Sequence, residues 1–208
     1  MVTERKRPYL SDRRQRQAAE TRRRLADSAR RLFRERGYAA TTIADIAAGA
    51  DLAVQTFYAV YGSKRGVLSG LIDRMEEDAD LPEFLDSFRT AADPRAQLAL
   101  IVDFNLRLYA RGADIIETLR SAAAADPQLA EVHREGDSRR RAAQARLVRS
   151  WARSASSPLR VPERQAADIL WAMTSPELYQ LFVEQNGWSP DRFGEWLLRL
   201  LSSLLLGD

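Results

Sequence analysis

Residues 41–64 read TTIADIAAGADLAVQTFYAVYGSK, and this stretch determines the fold that we expect for the chain. Apolar residues recur at a helical spacing in its first half, which predicts a short helix after Thr42. Thr42 is a typical N-cap, and Asp45 three residues later completes a capping-box pattern. Gly49 and Asp51 then favour a turn, after which a second short helix begins. Two short helices across such a turn predict a helix-turn-helix, whose second helix enters the DNA major groove.

The charge of the chain is divided unevenly between its two ends. Residues 1–66 contain 15 Lys and Arg against 7 Asp and Glu, a net charge of +8, whereas residues 67–208 carry a net charge of −5. This asymmetry indicates a nucleic-acid-binding head on a more acidic body. Residues 1–17 are basic and lack apolar periodicity, so we interpret them either as a mobile arm that binds phosphates or as a functionally silent tail. For any single arginine, a solvated surface position is an equally good interpretation.

Several classes of function and location lack their usual sequence signals. The chain of 208 residues has no cysteine and one histidine, His133, so the usual nitrogen and sulfur metal ligands are missing. It contains no phosphate-binding glycine loop of either common type, and we predict no catalytic residue, no metal and no cofactor. The longest apolar run, residues 200–206, is far shorter than the ~20 residues needed to span a bilayer, so we expect a cytoplasmic protein without membrane contact.

The helix-turn-helix region resembles the tetracycline-repressor (TetR) family of bacterial transcription regulators. The resemblance is strong over residues 25–71 and weaker, in length and helical character, over the rest of the chain. Two positions depart from the family pattern, since Asp51 stands where a glycine is usual and Ala53 stands where a serine cap is usual. The matching elements are Thr41-Thr42-Ile43-x-x-Ile46-Ala47, Thr56-x-Tyr58-x-x-Tyr61-x-Ser63-Lys64 and Val67-Leu68.

Within the predicted DNA-binding region, the roles divide by chemistry. By resemblance, hydroxyl and ammonium groups clamp the DNA backbone, which fixes the register without reading the sequence. On the second helix, an amide or hydroxyl can pair with base edges and small apolar groups can contact a thymine methyl. The resemblance also places Arg22 or Arg23 near a phosphate. The predicted phosphate contacts are Thr42, Tyr58 and Lys64, and the predicted base contacts are Val54, Gln55, Thr56 and Ala59.

The fold class that we predict is all-α. We divide the chain into a basic N-terminal arm (1–17), a three-helix DNA-binding domain with the helix-turn-helix (18–66), and a larger C-terminal helical domain for ligand binding and dimerisation (67–208). The sequence pattern predicts a first helix from about Ala18 to Arg36 that ends at Gly37, and a later helix that Ser63 caps and that runs to about Ala79, with a break over residues 76–82. The body pattern predicts a helix from Asp93-Pro94 to about residue 112, a short helix after it, and another from Asp126-Pro127 to Trp151. Residues 154–162 are predicted as a loop, followed by helices over about 162–185 and 190–206.

The body carries the two remaining functional expectations. A small-molecule pocket is implied by the resemblance, although core packing or a surface position is the better explanation for each of its candidate wall residues: Phe104, Leu108, Ile115, Leu119, Trp151 and Trp171. The last two helices have broad apolar faces, which favours a twofold four-helix dimer interface, with the subunit's own core as the alternative. The predicted interface residues are Leu178, Phe182, Trp196, Leu197, Leu200 and Leu204.

These expectations combine into one function and two rivals. We expect a sequence-specific repressor that binds a palindromic operator in double-stranded DNA as a homodimer and is released by an unidentified small-molecule effector, with transcriptional activation as the less common alternative. The first rival is a structural DNA-associated protein without an effector. The second is a helical enzyme or carrier in which the basic head is incidental.

Overall fold

The chain is almost entirely helical in the computed structural model, which describes residues 7–153 and 159–207. The predicted all-α fold class is confirmed. By internal packing, the chain divides into two compact units, Met1–Asp73 and Arg74–Asp208, which we call the head and the body. In the described ranges, extended pairing is limited to an isolated antiparallel bridge between Leu159 and Leu206.

The head is built from a long helix followed by the helix-turn-helix. A small core holds these elements together, and four of its side chains, Leu25, Ile46, Phe57 and Leu68, are completely buried. Because these residues come from successive helices, burying them orients α2 and α3 against α1. The helices are α1 (Arg7–Ala40), α2 (Ile43–Gly49), α3 (Val54–Tyr61) and α4 (Lys64–Asp78).

The first helix begins earlier than its sequence pattern predicts. α1 starts at Arg7 rather than near Ala18, so only residues 1–6 of the predicted arm lie outside the described residues. The extension is rich in Arg and Gln, which are good helix formers, and a solvated helix needs no apolar stripe. At Gly37, where we predicted the end of the helix, the backbone leaves helical geometry with φ 79° and ψ 160°.

Local caps set the starts of α2 and α4. The Asp45 amide donates to Thr42 Oγ1 at 3.1 Å, and the Thr42 amide donates to the Asp45 carboxylate at 3.0 Å, which confirms the predicted capping box. The Gly66 amide donates to Ser63 Oγ at 3.0 Å, which confirms the predicted cap of α4. α3 begins after Ala53 without a side-chain cap.

The body packs its helices around one apolar core. Asp93 and Asp126 cap α6 and α7 through their carboxylates, with proline in the first turn of each helix, as predicted. The core contains Leu98, Val148, Leu170 and Leu201, all completely buried. The helices are α5 (Leu81–Thr90), α6 (Pro94–Ala123), α7 (Pro127–Ala152), α8 (Glu163–Met173), α9 (Pro176–Tyr179), which continues as a π-helical segment (Gln180–Gln185), and α10 (Pro190–Leu205).

The prediction of a helix end near residue 112 is wrong, because α6 continues without a break to Ala123. Gly112 lies inside the helix for a packing reason rather than a turn. A Cβ at this position would lie 2.2 Å from Met75 Sδ, so the glycine permits close approach of the Met75 side chain. The sequence pattern predicted only a break around residues 76–82, but this segment leads into α5. Asp80 caps α5 by accepting a hydrogen bond from the Glu83 amide at 3.3 Å.

The single helix predicted over residues 162–185 is also wrong. α8 ends at Met173, and α9 begins anew at Pro176, capped by Ser175, which accepts from the Leu178 amide. Proline cannot donate to the preceding turn, so the helix restarts there. The predicted loop at 154–162 lies outside the described residues over 154–158.

Candidate nucleic-acid interface

The axes of α2 and α3 meet at a bend of 105°. This value lies within the range of about 90–120° that is typical of a helix-turn-helix. The turn contains Asp51, whose φ of 53° is left-handed, and the Leu52 amide closes it by donating to the Ala47 carbonyl at 3.0 Å. The α2–α3 unit therefore has the geometry expected of a DNA-reading motif.

One face of α3 is buried and the opposite face is exposed. Phe57 fixes the buried side, whereas Tyr58 is 54% exposed and Val54 37% exposed. Gln55 and Ala59 are exposed as well. The exposed residues stand at positions i, i+1, i+4 and i+5, so they share one side of the helix. They are Val54, Gln55, Tyr58 and Ala59.

The predicted base contact Thr56 lies apart from this exposed α3 face. It stands two residues beyond Val54 on α3 and is half-buried. Thr42, at the start of α2, is exposed, but its hydroxyl and amide are engaged with Asp45. Base and phosphate contacts by all seven predicted residues stay predictions.

Side chains of α1 hold the helix-turn-helix through its backbone carbonyls. Ser28 Oγ donates to the Ile46 carbonyl at 2.9 Å, and Arg24 Nη2 donates to the Ala50 carbonyl at 2.5 Å. Arg22 donates to the Val60 carbonyl at 3.4 Å and lies over the Tyr61 ring, with its Cζ 5.0 Å from the ring centroid. The Tyr61 hydroxyl donates back to the Arg22 carbonyl at 3.0 Å. These bonds fix α2, the turn and α3 against α1, and sequence patterns did not predict them.

Lys64 has structural partners that its sequence position did not predict. Its Nζ donates to the carbonyls of Tyr38 at 2.8 Å and Thr41 at 2.9 Å, and lies 4.4 Å from the centroid of the Tyr38 ring. The ammonium thus ties α4 to the linker between α1 and α2. Burial lowers the pKa of the Lys64 side chain. An ammonium has three donors, so one remains after these two bonds.

The capping box has an electrostatic consequence. Hydrogen bonds from the hydroxyl and then the amide of Thr42 lower the pKa of the Asp45 carboxyl. The carboxylate therefore stays ionised near the amino end of α2, where the helix dipole also favours negative charge.

The body contains a polar junction where α6, α7 and α8 meet. Tyr109 Oη donates to the Thr174 carbonyl at 2.7 Å, and Gln144 Nε2 donates to Thr174 Oγ1 at 2.7 Å. Arg140 Nη1 donates to the carbonyls of Trp171 and Thr174 at 3.0 and 3.3 Å. Burial raises the pKa of the Tyr109 hydroxyl, so the group remains a donor. The junction fixes the end of α8, and it includes Trp171 of the predicted ligand wall.

The predicted ligand-wall residues occupy different environments. Phe104, Leu108 and Trp151 belong to the body core or pack against it, and Trp151 Nε1 donates to Gln97 Oε1 at 2.6 Å. Trp171 lies on α8 beneath the guanidinium groups of Arg140 and Arg141. The other two residues, Ile115 and Leu119, are buried on α6. A ligand role for these six residues stays a prediction.

The predicted dimer residues divide between the core and the surface. Leu197 is 2% exposed within its own subunit and belongs to the body core, and an interface role for all six residues stays a prediction. Phe182 and Trp196 pack together with ring centroids 4.7 Å apart and remain half-buried, as do Leu178 and Leu200. Leu204 is 41% exposed.

An open apolar groove of about 610 Å³ borders Leu204. α8 forms most of its lining, including Ile169, Ala172 and Met173, and α10 contributes Leu204. The groove therefore lies on the apolar faces of the helices that the sequence pattern selected for dimerisation.

Residues 7–153 and 159–207 contain no group of three or more metal-ligating side chains. Within the same residues, no single helix is long and apolar enough to cross a membrane, and α2 and α3 reach that composition only as a bent pair.

The helix-turn-helix region matches a known protein family. Residues 25–71 match the family described as bacterial regulatory proteins, tetR family. That family consists of regulators rather than enzymes. No curated protein matches the chain significantly in sequence.

Several solved structures share the fold over most of the chain. The SmeT–triclosan complex has a TM-score of 0.69 and 24% identity, covering 90% of this chain and 92% of that one. The MbdR regulator from Azoarcus sp. CIB has a TM-score of 0.71 and 18% identity, covering 87% and 96%. FadR from Bacillus subtilis in complex with stearoyl-CoA has a TM-score of 0.69 and 17% identity, covering 86% and 97%. At these identities the likeness is one of fold.

Proposed function

We propose that this chain, in which residues 25–71 match the tetR family of bacterial regulatory proteins, is a repressor that binds a palindromic operator as a homodimer. A small-molecule effector releases it from the DNA. The observation that carries this proposal is the exposed face of α3, which bonds from α1 hold in a fixed position. A reading helix must present side chains to base edges without losing its orientation, and this arrangement does both.

The chemistry of the α3 face supports sequence reading. Gln55 offers a paired donor and acceptor that match an adenine edge, and Val54 and Ala59 offer apolar contacts for a thymine methyl. Tyr58 on this face and Lys64 at the start of α4 carry the hydroxyl and ammonium groups that we propose for phosphate oxygens. In a homodimer the two α3 helices would enter successive major grooves about one helical turn apart (~34–36 Å). A DNA-binding repressor works beside the chromosome, which places it in the cytoplasm.

The groove between α8 and α10 supports a second copy of the chain as the dimer partner. Its lining is mainly apolar, and Leu204 beside it is exposed, so pairing two such faces removes apolar surface from water. Leu204→Glu should therefore shift the protein from dimer to monomer in light scattering. Leu85→Glu is the matched control, because Leu85 is 39% exposed on α5, outside the groove. Loss of the dimer in both variants, or in neither, contradicts this interface.

The effector proposal rests on the architecture of the body. SmeT and the Bacillus subtilis FadR were solved with triclosan and stearoyl-CoA. A body of the same fold supports a small-molecule effector for this chain. Such a ligand can release the DNA only if it binds the DNA-incompetent conformation more tightly. Thermal-shift screening detects it, since a ligand at 100 times its Kd adds ~2.7 kcal/mol of stability.

The decisive experiment is the capture of genomic fragments by purified protein at two salt concentrations. We expect enrichment of one palindromic site, preferred over bulk DNA by roughly 4 kcal/mol or more. Retention that is sensitive to salt but indifferent to sequence would refute the repressor and support the structural DNA-associated rival. Turnover of a small molecule without DNA retention would support the enzyme or carrier.

A further inference from the structure

We propose that the carboxylate of Asp51 limits the affinity of the head for DNA, by repelling phosphates and by competing for Arg24. This inference rests on the proposed DNA binding and concerns its strength rather than its sequence preference. It follows from the conformation of Asp51, its exposure and its position relative to α3.

The backbone at Asp51 requires a special residue but not a charged one. Its φ of 53° lies in the left-handed region, where asparagine, aspartate and glycine are enriched. Its amide donates to the Ala48 carbonyl at 3.0 Å, which forms the turn through the main chain alone. The Asp51 side chain is fully exposed. The turn would therefore form equally well around an asparagine, and the negative charge has no packing role.

The position of Asp51 brings this charge close to the proposed DNA surface. Asp51 precedes Val54 by three residues, and the amino-terminal residues of a recognition helix are those that contact base edges. The flanking phosphates then lie beside the turn. Two like charges about 4 Å apart in water repel each other by an amount equivalent to about fivefold in affinity.

Arg24 provides a second route to the same effect. Its Nη2 lies 3.8 Å from Asp51 Oδ2 while donating to the Ala50 carbonyl. A guanidinium has five donors, so the bond to Ala50 leaves others for a phosphate oxygen. The Asp51 carboxylate attracts those donors. Neutralising Asp51 removes this competition and leaves the Ala50 bond intact.

The test compares Asp51→Asn with the wild-type full-length protein. Fluorescence anisotropy would give Kd for the genomic fragment that the wild type retains and for a duplex of mixed sequence, over roughly 50–200 mM salt. We expect Asp51→Asn to bind both DNAs about three- to tenfold more tightly, with their affinity ratio unchanged. If Arg24 gains a contact with a DNA phosphate, the slope of the logarithm of the binding constant against the logarithm of the salt concentration steepens by ~0.9. This steepening should vanish in an Arg24→Gln background.

The outcomes separate this inference from the proposed function. Unchanged affinities in a variant that melts like the wild type overturn the inference alone. Tighter binding to the fragment but not to the mixed duplex also overturns it, because that pattern is a base contact. A wild type that binds neither DNA refutes the proposed function itself. Asp51→Ala lacks both the charge and the preference for the left-handed backbone region. Its melting temperature should therefore lie below that of Asp51→Asn.

Discussion

Replacing Lys64 with methionine tests whether the head depends on an ammonium held between two carbonyls. The Nζ donates to Tyr38 and Thr41, at the end of α1 and at the entry to α2. Methionine preserves most of the apolar stem but has no donor. We therefore expect Lys64→Met to loosen the linker that presents the Thr42 cap, in addition to any loss of phosphate contact.

The size of the effect follows from these contacts. A hydrogen bond to a charged group contributes about 1.5–3 kcal/mol, and an exposed cation–π contact about 0.5–1 kcal/mol. Lys64 is half-buried, so solvent screens part of each interaction. Burial removes part of the hydration of the ammonium, which lowers the pKa of Lys64. The low ends of these ranges, taken over the two bonds and the ring contact, come to about 3.5 kcal/mol. Solvent screening reduces this, so we expect Lys64→Met to lower the free energy of unfolding by about 2 kcal/mol.

Two assays separate the structural role of Lys64 from a phosphate contact. Urea unfolding followed by circular dichroism gives the stability, and a loss below about 0.5 kcal/mol would refute the anchoring role, since that is ordinary for a surface site. The salt dependence of DNA binding gives the second answer, because a lost phosphate contact reduces the slope by ~0.9. Lys64→Arg is the control: it keeps the charge, so it should preserve the slope, but its planar group does not reproduce the ammonium geometry.

Three further predictions address reading, packing and pH. Gln55→Ala should relax the preference at one operator position by about 1–3 kcal/mol, measured on operator variants; equal loss on every DNA would refute base reading. Gly112→Ala places a methyl against Met75 and should lower the free energy of urea unfolding by about 1–3 kcal/mol, most of which Met75→Ala should remove. The Thr42 bonds lower the pKa of Asp45 below its unfolded-state value of 3.8. The ionised Asp45 carboxylate therefore stabilises the fold fully above pH 3.8, and this stabilisation is lost as the pH falls through the lower folded-state pKa. Asp45→Asn should flatten the stability profile in that acidic window; a profile parallel to the wild type would contradict the capping bond.

The head was largely predictable because its determinants are local. The capping box, the turn and the spacing of Ile46 and Phe57 lie within one short stretch, and each signal acts over three or four residues. Sequence patterns therefore identified both α2 and α3, but they included Thr56 among the reading residues although it lies apart from the exposed face of α3. The same kind of signal was present but not used at two places in the body. Ser175-Pro176 and Asp80 with Glu83 are ordinary helix starts, and they explain the break before α9 and the presence of α5.

Other features depend on residues that are distant in sequence. Gly112 resembles a helix end in the sequence, and only Met75 explains why a glycine belongs inside α6. The polar junction of the body likewise brings together Tyr109, Gln144 and Thr174 from three helices. Neither composition nor periodicity reports such pairings, so the ligand-wall residues were chosen by type alone.

The cations of the head show why counting charges overstates a DNA-binding surface. A side-chain donor that bonds a backbone carbonyl leaves no trace in the sequence, because every residue offers the same acceptor. At least one donor is used in this way by each of Arg22, Arg24 and Lys64. The sequence analysis had counted their charges toward nucleic-acid binding. Their charges still attract phosphates over a Debye length, but their positions are set by the protein. The salt slope of binding should therefore correspond to fewer phosphates than the 15 Lys and Arg of residues 1–66 would give.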